Sequence, residues 1–287
     1  MPHLINIPPF MFKSKNVETF SIMQKIYFII KGKLVGLVIN KTNKSLFCRL
    51  INFLFPKGGK LHFEENLYCY SKDDLKIFYP NKRVIRYVDN YPLQLLTLFN
   101  SYCLNSINFQ TEDVIIDCGA NVGELFFAFK YKDLNIKYIG FEPDKETYNC
   151  LKKNIKSDNS ELFNIALNNE TKITKFYLDN EGGNSSLIDF GTNKFVDVQV
   201  KKMDDLEINE KIKLFKIDAE GNEPEVLMGA TSLLKNTEYI SVDFGDERGI
   251  EQKTTIVEVN NFLTENNFKL IDFSDYRLIG LYKNNTL

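Results

Sequence analysis

The chain has 287 residues, a net charge of −2 and an apolar fraction of 44 %, enough to bury a sizeable core and more than one compact domain usually needs. The overall balance argues for no particular partner. Two histidines, His3 and His62, and five dispersed cysteines without a CxxC pair argue against a zinc site, and an odd, scattered thiol set suits a reducing cytoplasm.

Residues 1–60 hold ten Lys/Arg, Lys13 and Lys15 among them, against one acid, Glu18, a net of +9 that leaves −11 for the remainder. Short apolar runs (Ile26–Ile30, Leu34–Ile39, Leu50–Phe55) alternate with these lysines and predict amphipathic helices. Two readings stand: helices packed on the main domain, or a peripheral element on a membrane surface, since apolar faces edged with lysine bind anionic lipid. The run Ile26–Ile30 is too short for a signal sequence and lacks a small-residue cleavage site. No stretch approaches the roughly 18–20 uncharged apolar residues that span a bilayer. The expected location is the cytoplasm, with the inner membrane surface as the alternative. Gly58-Gly59 marks a boundary.

Residues 61–90 alternate in the manner of strands (Leu61–Phe63, Leu67–Tyr70, Leu75–Tyr79, Val84–Tyr87) and predict a small antiparallel sheet. Pro92–Leu104 reads as a helix. From Asp113 the pattern becomes strand, turn, helix, repeated. Strands are expected at Val114–Ile116, Tyr138–Phe141, Leu162–Leu167, Lys213–Ile217 and Tyr239–Phe244, with helices at Leu125–Lys130, Lys145–Ile155, Glu223–Leu234 and Thr254–Glu265. Ile173–Leu178 and Val196–Val200 form an inserted hairpin. Lys269–Phe273 and Leu278–Tyr282 follow too closely for a helical crossover, so that pair is antiparallel. The prediction is a Rossmann-like α/β sheet, mostly parallel with the last strand antiparallel, in residues 111–287. It is preceded by an α+β extension made of residues 1–60 and 61–110.

The strongest local motif is Val114-Ile115-Ile116-Asp117-Cys118-Gly119-Ala120-Asn121-Val122-Gly123. A buried strand ends in an acid and a glycine turn, and a helix follows. Gly119 and Gly123 let backbone and ligand approach closely. Their spacing is not the GxGxxG of nicotinamide-binding proteins. Glu142, in Phe141-Glu142-Pro143, stands 19 residues after Gly123, at the carboxyl end of the next strand, where a carboxylate can accept hydrogen bonds from a ribose diol. Asp117, Glu142, Asp218 and Glu220 surround the expected crevice with few bases nearby, which suits a cationic ligand. No GxxxxGK[ST] segment offers a triphosphate cradle.

These segments resemble the FkbM-type methyltransferases. The resemblance runs through Ile116–Gly123, Phe141–Pro143, Asn164–Leu167, Ser185–Leu187, Met203–Leu206 and Phe215–Glu223, and covers roughly residues 80–283. The sheet layout is likewise that of class I methyltransferases. The resemblance implies O-methylation of a hydroxyl on a sugar, glycan or other small metabolite, with S-adenosylmethionine as donor. It implies that Asp117, Gly119, Asn121, Gly123, Glu142, Pro143 and Ala166 hold the cofactor. Met203 stands where the family usually has Leu, and Asp243 where it often has Glu.

A hydroxyl acceptor needs a base, and both histidines lie outside the Rossmann-like unit. The candidates are carboxylates at the ends of the fourth and fifth strands: Asp218, Glu220 and Asp243 first, then Glu223 and Glu247. Asp218, Glu220 and Glu223 also have the composition of a divalent-cation site. An acid before Pro224 at a helix start, however, serves the helix dipole, and no metal ligand is assigned. Arg248 is read either as a fork for an anionic substrate or as half of an internal ion pair. The acidic catalytic region argues against nucleic acid. The alternatives are a non-catalytic interaction protein that kept the fold and a nucleotide-binding oxidoreductase.

Overall fold

The computed structural model describes residues 8–11, 17–179, 183–274 and 277–287; His3, Lys13 and Lys15 lie outside them. The chain divides into two compact units, Met1–Leu96 and Thr97–Leu287.

In the first unit, helices α1 (Ile22–Lys41) and α2 (Lys44–Leu54) precede strands β1 (Lys60–Glu64), β2 (Leu67–Lys72) and β3 (Leu75–Tyr79). The three strands form an antiparallel sheet in chain order. A reciprocal capping box opens α1: the Ser21 hydroxyl accepts from the Gln24 N–H, and the Gln24 side chain accepts from the Ser21 N–H. At the other end Lys82 donates to the carbonyls of Ile39 and Thr42, at 2.5 and 3.0 Å, satisfying groups that a helix end leaves open. The expected strand Val84–Tyr87 is instead a short 3-10 helix, Lys82–Tyr87. Pro80 has no N–H for a ladder, and the Asn81 side chain accepts from the Arg83 N–H, which starts the turn. Among the described residues no helix is long and apolar enough to cross a membrane.

Helix α3 (Tyr91–Ser101) leads into the second unit. Its order is β4 (Val114–Cys118), α4 (Glu124–Tyr131), β5 (Lys137–Phe141), α5 (Lys145–Asn154), β6 (Ser160–Phe163), β7 (Ala166–Leu167), β8 (Lys172–Tyr177), β9 (Phe195–Lys201), β10 (Ile212–Ile217), α6 (Glu223–Met228), β11 (Thr237–Asp243), α7 (Ile256–Glu265), β12 (Phe268–Phe273) and β13 (Ile279–Asn284). Seven strands form one sheet in the order β12-β13-β11-β10-β4-β5-β6. All run parallel except β13, which is antiparallel to both neighbours. This is the Rossmann-like arrangement expected from the alternation of strands and helices. Strand β4 is buried at every position, as a central strand covered on both faces must be. The core joins its Ile116 to Phe215, Ile217 and Ile240 of the neighbouring strands and to Leu227 and Leu263 of the helices.

Two elements differ from expectation. Leu162–Leu167 is not one strand. β6 stays in the main sheet, while β7 crosses to a three-stranded sheet, β7-β9-β8, which contains the predicted hairpin. The break falls at Asn164, whose side-chain amide donates to the carbonyls of Glu142 and Pro143, both at 2.9 Å. A side chain that ties two strand ends together takes the place of the ladder there. Helix α6 stops at Met228, six residues short of the expected Leu234, with Gly229 as its C-cap.

Candidate active site

The strand order reverses at β4. β5 and β6 lie on one side, β10 and β11 on the other, and a crevice forms at the carboxyl ends of such strands. The turn after β4 is built for close approach. Gly119 has φ +76°, and a Cβ there would lie 2.1 Å from the Asp218 carbonyl oxygen. Asn121 has φ +50°, a conformation that Asn tolerates better than most residues. Gly123 precedes the first turn of α4 as its N-cap. The N–H groups of Gly119 and Ala120 both donate to the Phe141 carbonyl, which fastens the turn to the end of β5.

Glu142 lies beside this turn. Its carboxylate is 7 % exposed and accepts one backbone N–H on each oxygen, from Asn121 at 2.9 Å and Asp144 at 2.9 Å. Burial pushes it up to about 8, against the pull of those two donors. An ionised carboxylate has about four lone-pair sites, so each oxygen keeps one for a further donor. A vicinal diol supplies two such donors. These residues therefore fit the ribose of S-adenosylmethionine, whose sulfonium, when bound, would favour the ionised form of Glu142 that accepts from both hydroxyls. Pro143 follows, with its carbonyl held by Asn164. Asp144 caps α5 through the Thr147 N–H and hydroxyl. Ala166 is buried in β7, packed with Phe176, Val198 and Val200.

Asp117 has a different place from the one expected. It is 1 % exposed. Its carboxylate pairs with the Lys216 ammonium at 2.8 Å and accepts from the Tyr138 hydroxyl at 2.5 Å. The register explains this: Asp117 lies directly between Lys216 of β10 and Gly140 of β5. Lys216, equally buried, also donates to the carbonyls of Cys118 and Gly119, at 3.0 and 2.8 Å. Burial pulls its ammonium down, but the facing charges of Asp117 and Asp218 outweigh it and hold the group well above its usual value. Asp117 thus supports the glycine turn from beneath through Lys216.

A second cluster gathers at the ends of β10, β11 and β13. The hydroxyl of buried Tyr102 donates to Asp218 through a very short hydrogen bond. Arg277 pairs closely with Asp243 and stands 3.7 Å from Asp218. Carboxylate oxygens of Asp218, Glu220 and Glu247 lie within 4.8 Å of one another. Burial, then the charges of Asp218 and Glu247, raise Glu220 far above an ordinary carboxyl. Burial and Asp218 raise Asp243 too, against the opposing pull of Arg277. The trio can share a proton or accept a divalent cation.

The predicted members Asp218, Glu220 and Asp243 are therefore brought together, but Glu223 is not. Its Oε1 accepts from the N–H groups of Ala219 and Gly221 and its Oε2 from the Thr255 hydroxyl. It braces the loop after β10, and Glu247 takes its place in the trio. Arg248 is an internal partner: it grips Glu225 with two nitrogens at 2.9 and 2.6 Å and donates to the Gly221 carbonyl. Sequence reasoning missed Tyr102, Lys216 and Arg277. Only Lys216, two residues before Asp218 in a strand whose other buried positions are apolar, carried a signal, because a lysine inside a buried strand requires a counter-charge.

The methyltransferase FkbM domain matches residues 117–270, over half of the chain. Methyltransferase sdnD of Sordaria araneosa is 26 % identical over 170 residues, which are 46 % of this chain and 66 % of that protein, just under two thirds of the relative's length. Among solved structures, a SAM-dependent methyltransferase from Aquifex aeolicus aligns with 67 % of this chain and 97 % of its own at 13 % identity and a TM-score of 0.40. Human methyltransferase 10 domain containing protein aligns with 84 % and 94 %, at 13 % identity and a TM-score of 0.41. With its glycine turn and buried carboxylate in residues 117–142, and the domain match extending to residue 270, the chain belongs to the FkbM family of S-adenosylmethionine-dependent methyltransferases.

Proposed function

We propose that the protein transfers a methyl group to a hydroxyl of a sugar, glycan or other small metabolite. The observation that carries this reading is the clustering of Asp218, Glu220, Asp243 and Glu247 around Tyr102 and Arg277, at the strand ends beside the cofactor turn. A hydroxyl, unlike an amine, must surrender its proton as it attacks carbon, and such a cluster supplies acceptors.

When bound, S-adenosylmethionine supplies an electrophilic methyl carbon and departs as a neutral thioether. The protein's part is largely placement, which can supply about 7–11 kcal/mol in favourable cases. Glu142 and the Gly119–Gly123 turn hold the donor's ribose side. In this reading Asp218, which accepts from the Tyr102 hydroxyl and stands 3.7 Å from Arg277, accepts the acceptor's proton. Glu220, raised by burial and its acidic neighbours, stays protonated at neutral pH and holds the proton it shares with Glu247. Arg277 fixes Asp243 and limits the negative charge of the cluster.

The acidic surroundings support a small acceptor over nucleic acid. Five buried free thiols support a reducing, cytoplasmic compartment, with residues 1–60 as the segment that would meet a membrane surface. Family membership displaces the oxidoreductase alternative. The non-catalytic alternative is tested together with the acceptor class. Labelled methyl groups from the donor, incubated with the protein and extracts of the source cell, should appear on a hydroxyl of a small product identified by mass. Label on nitrogen or on nucleic acid would overturn the acceptor class, and donor binding without any transfer would favour the non-catalytic protein.

A further inference from the structure

Helix α1 presents an apolar face that its own unit leaves uncovered. Phe28, Gly32 and Val35 form the buried side of the helix. On the opposite side Met23, Tyr27, Ile30, Leu34 and Leu37 succeed one another at intervals of four and three residues, the spacing of one helical face. They are 75, 60, 55, 45 and 51 % exposed. Ile22 and Ile26 widen the face. At about 100° per residue, Lys25 falls on one margin with Lys33 inside, while Lys31, on the other margin, holds its ammonium 4.1 Å from the centre of the Phe55 ring. Capping at Ser21 and the bonds from Lys82 hold the helix in place, so the face exists before any partner arrives.

Charge selects the partner. Residues 22–54 contain Lys25, Lys31, Lys33, Lys41, Lys44 and Arg49 and no acid at all. A second copy of the chain is disfavoured. The four-three stripe is flanked by Lys25 and contains Lys33, so pairing two such helices would bring ammonium groups together. A bilayer with anionic headgroups satisfies both halves of the surface, taking the isoleucines and leucines at the acyl boundary and the lysines at the phosphates. Spanning is excluded by chemistry, because Lys33 would then sit in hydrocarbon. We propose that α1 lies flat in the surface of an anionic phospholipid membrane, with Met23, Tyr27, Ile30, Leu34 and Leu37 inserted. Docking of this kind would place the methyltransferase beside acceptors that are themselves membrane-bound.

The test is sedimentation of the full chain with vesicles of phosphatidylcholine, alone or doped with phosphatidylglycerol. Partition onto the doped vesicles should be at least about tenfold stronger and should weaken as salt is raised. Ile26→Asp with Ile30→Asp should abolish it, and Lys25→Glu with Lys33→Glu should remove the preference for anionic lipid. All four positions lie outside the cofactor site, so donor binding, read by calorimetry, should not change. Equal partition onto both vesicle types, or onto neither, overturns the proposal. A doubled mass in light scattering that Ile30→Asp reduces to that of one chain would replace it with self-association. Neither result bears on methyl transfer, which is read separately.

Discussion

The ammonium of Lys216 donates to the carbonyl of Gly119 at 2.8 Å, so a side chain of one central strand fastens the cofactor turn of its neighbour. The same group neutralises buried Asp117. Removing it leaves an uncompensated carboxylate in the interior, and Lys216→Met should cost about 3–5 kcal/mol. Asp117→Asn in addition should recover part of that loss. Denaturant unfolding of the two variants measures both, and the absence of recovery would show that the pair is not the source.

Glu142 is expected to carry donor affinity without carrying the fold. Glu142→Gln keeps the shape but weakens bonds to a charged acceptor, each worth roughly 1.5–3 kcal/mol. The donor should bind roughly ten- to 150-fold more weakly in calorimetry. The melting temperature should hold or rise, because a buried carboxyl has been replaced by a neutral group. Affinity within twofold of wild type would remove Glu142 from the site.

Gly119→Ala addresses the turn itself. The new methyl group would sit 2.1 Å from a backbone oxygen, at φ +76°, and neither can relax cheaply. A loss of about 1–3 kcal/mol in stability is expected, together with loss of donor binding. Stability from chemical denaturation and affinity from calorimetry are the two readouts.

In the acidic cluster, Asp218→Asn should lower kcat by about 10²–10⁴ if it accepts the proton, with little change in donor affinity. Glu220→Gln should be milder, because the native group is already neutral near pH 7. Turnover is expected to survive dialysis against a chelator. A pH–rate profile unchanged in Asp218→Asn would assign the base elsewhere.

Stability should fall as pH rises above the ordinary carboxyl range. The folded values of Glu223 and Glu142, about 7 and about 8, stand above the unfolded value of 4.5, so the folded state binds more protons in between. Their contribution is fully present below about 4.5 and is lost as pH climbs through 7 and 8. Thermal melts from pH 5 to about 9 should show the decline, and Glu142→Gln should flatten its upper half.

The sheet was legible because its signals are local. β-branched runs such as Val114–Ile116, separated by helical stretches and glycine turns, announce buried parallel strands whatever their neighbours are. The glycine turn after β4 and the place of Glu142 at the end of β5 were legible for the same reason, being short motifs at fixed distances from strand ends. Val84–Tyr87 misled because apolar content resembles a strand, while Pro80 and Asn81 direct the backbone into a turn. Glu223 misled because spacing alone places it beside Asp218, whereas its side chain turns back to three donors in its own loop and in Thr255.

By itself, the amino-acid order determined the succession of elements, the glycine bend after β4 and the carboxylate ending β5, since periodicity and turn chemistry act within a few residues. Tertiary structure alone decided that Asp117 meets Lys216, that Tyr102 reaches Asp218, and that Arg277 reaches Asp243. Hydrophobic patterning says which face of a strand is buried, but not which strand lies beside it or in what register. Those contacts join positions 34 to 116 residues apart, and only the closed sheet brings them within reach.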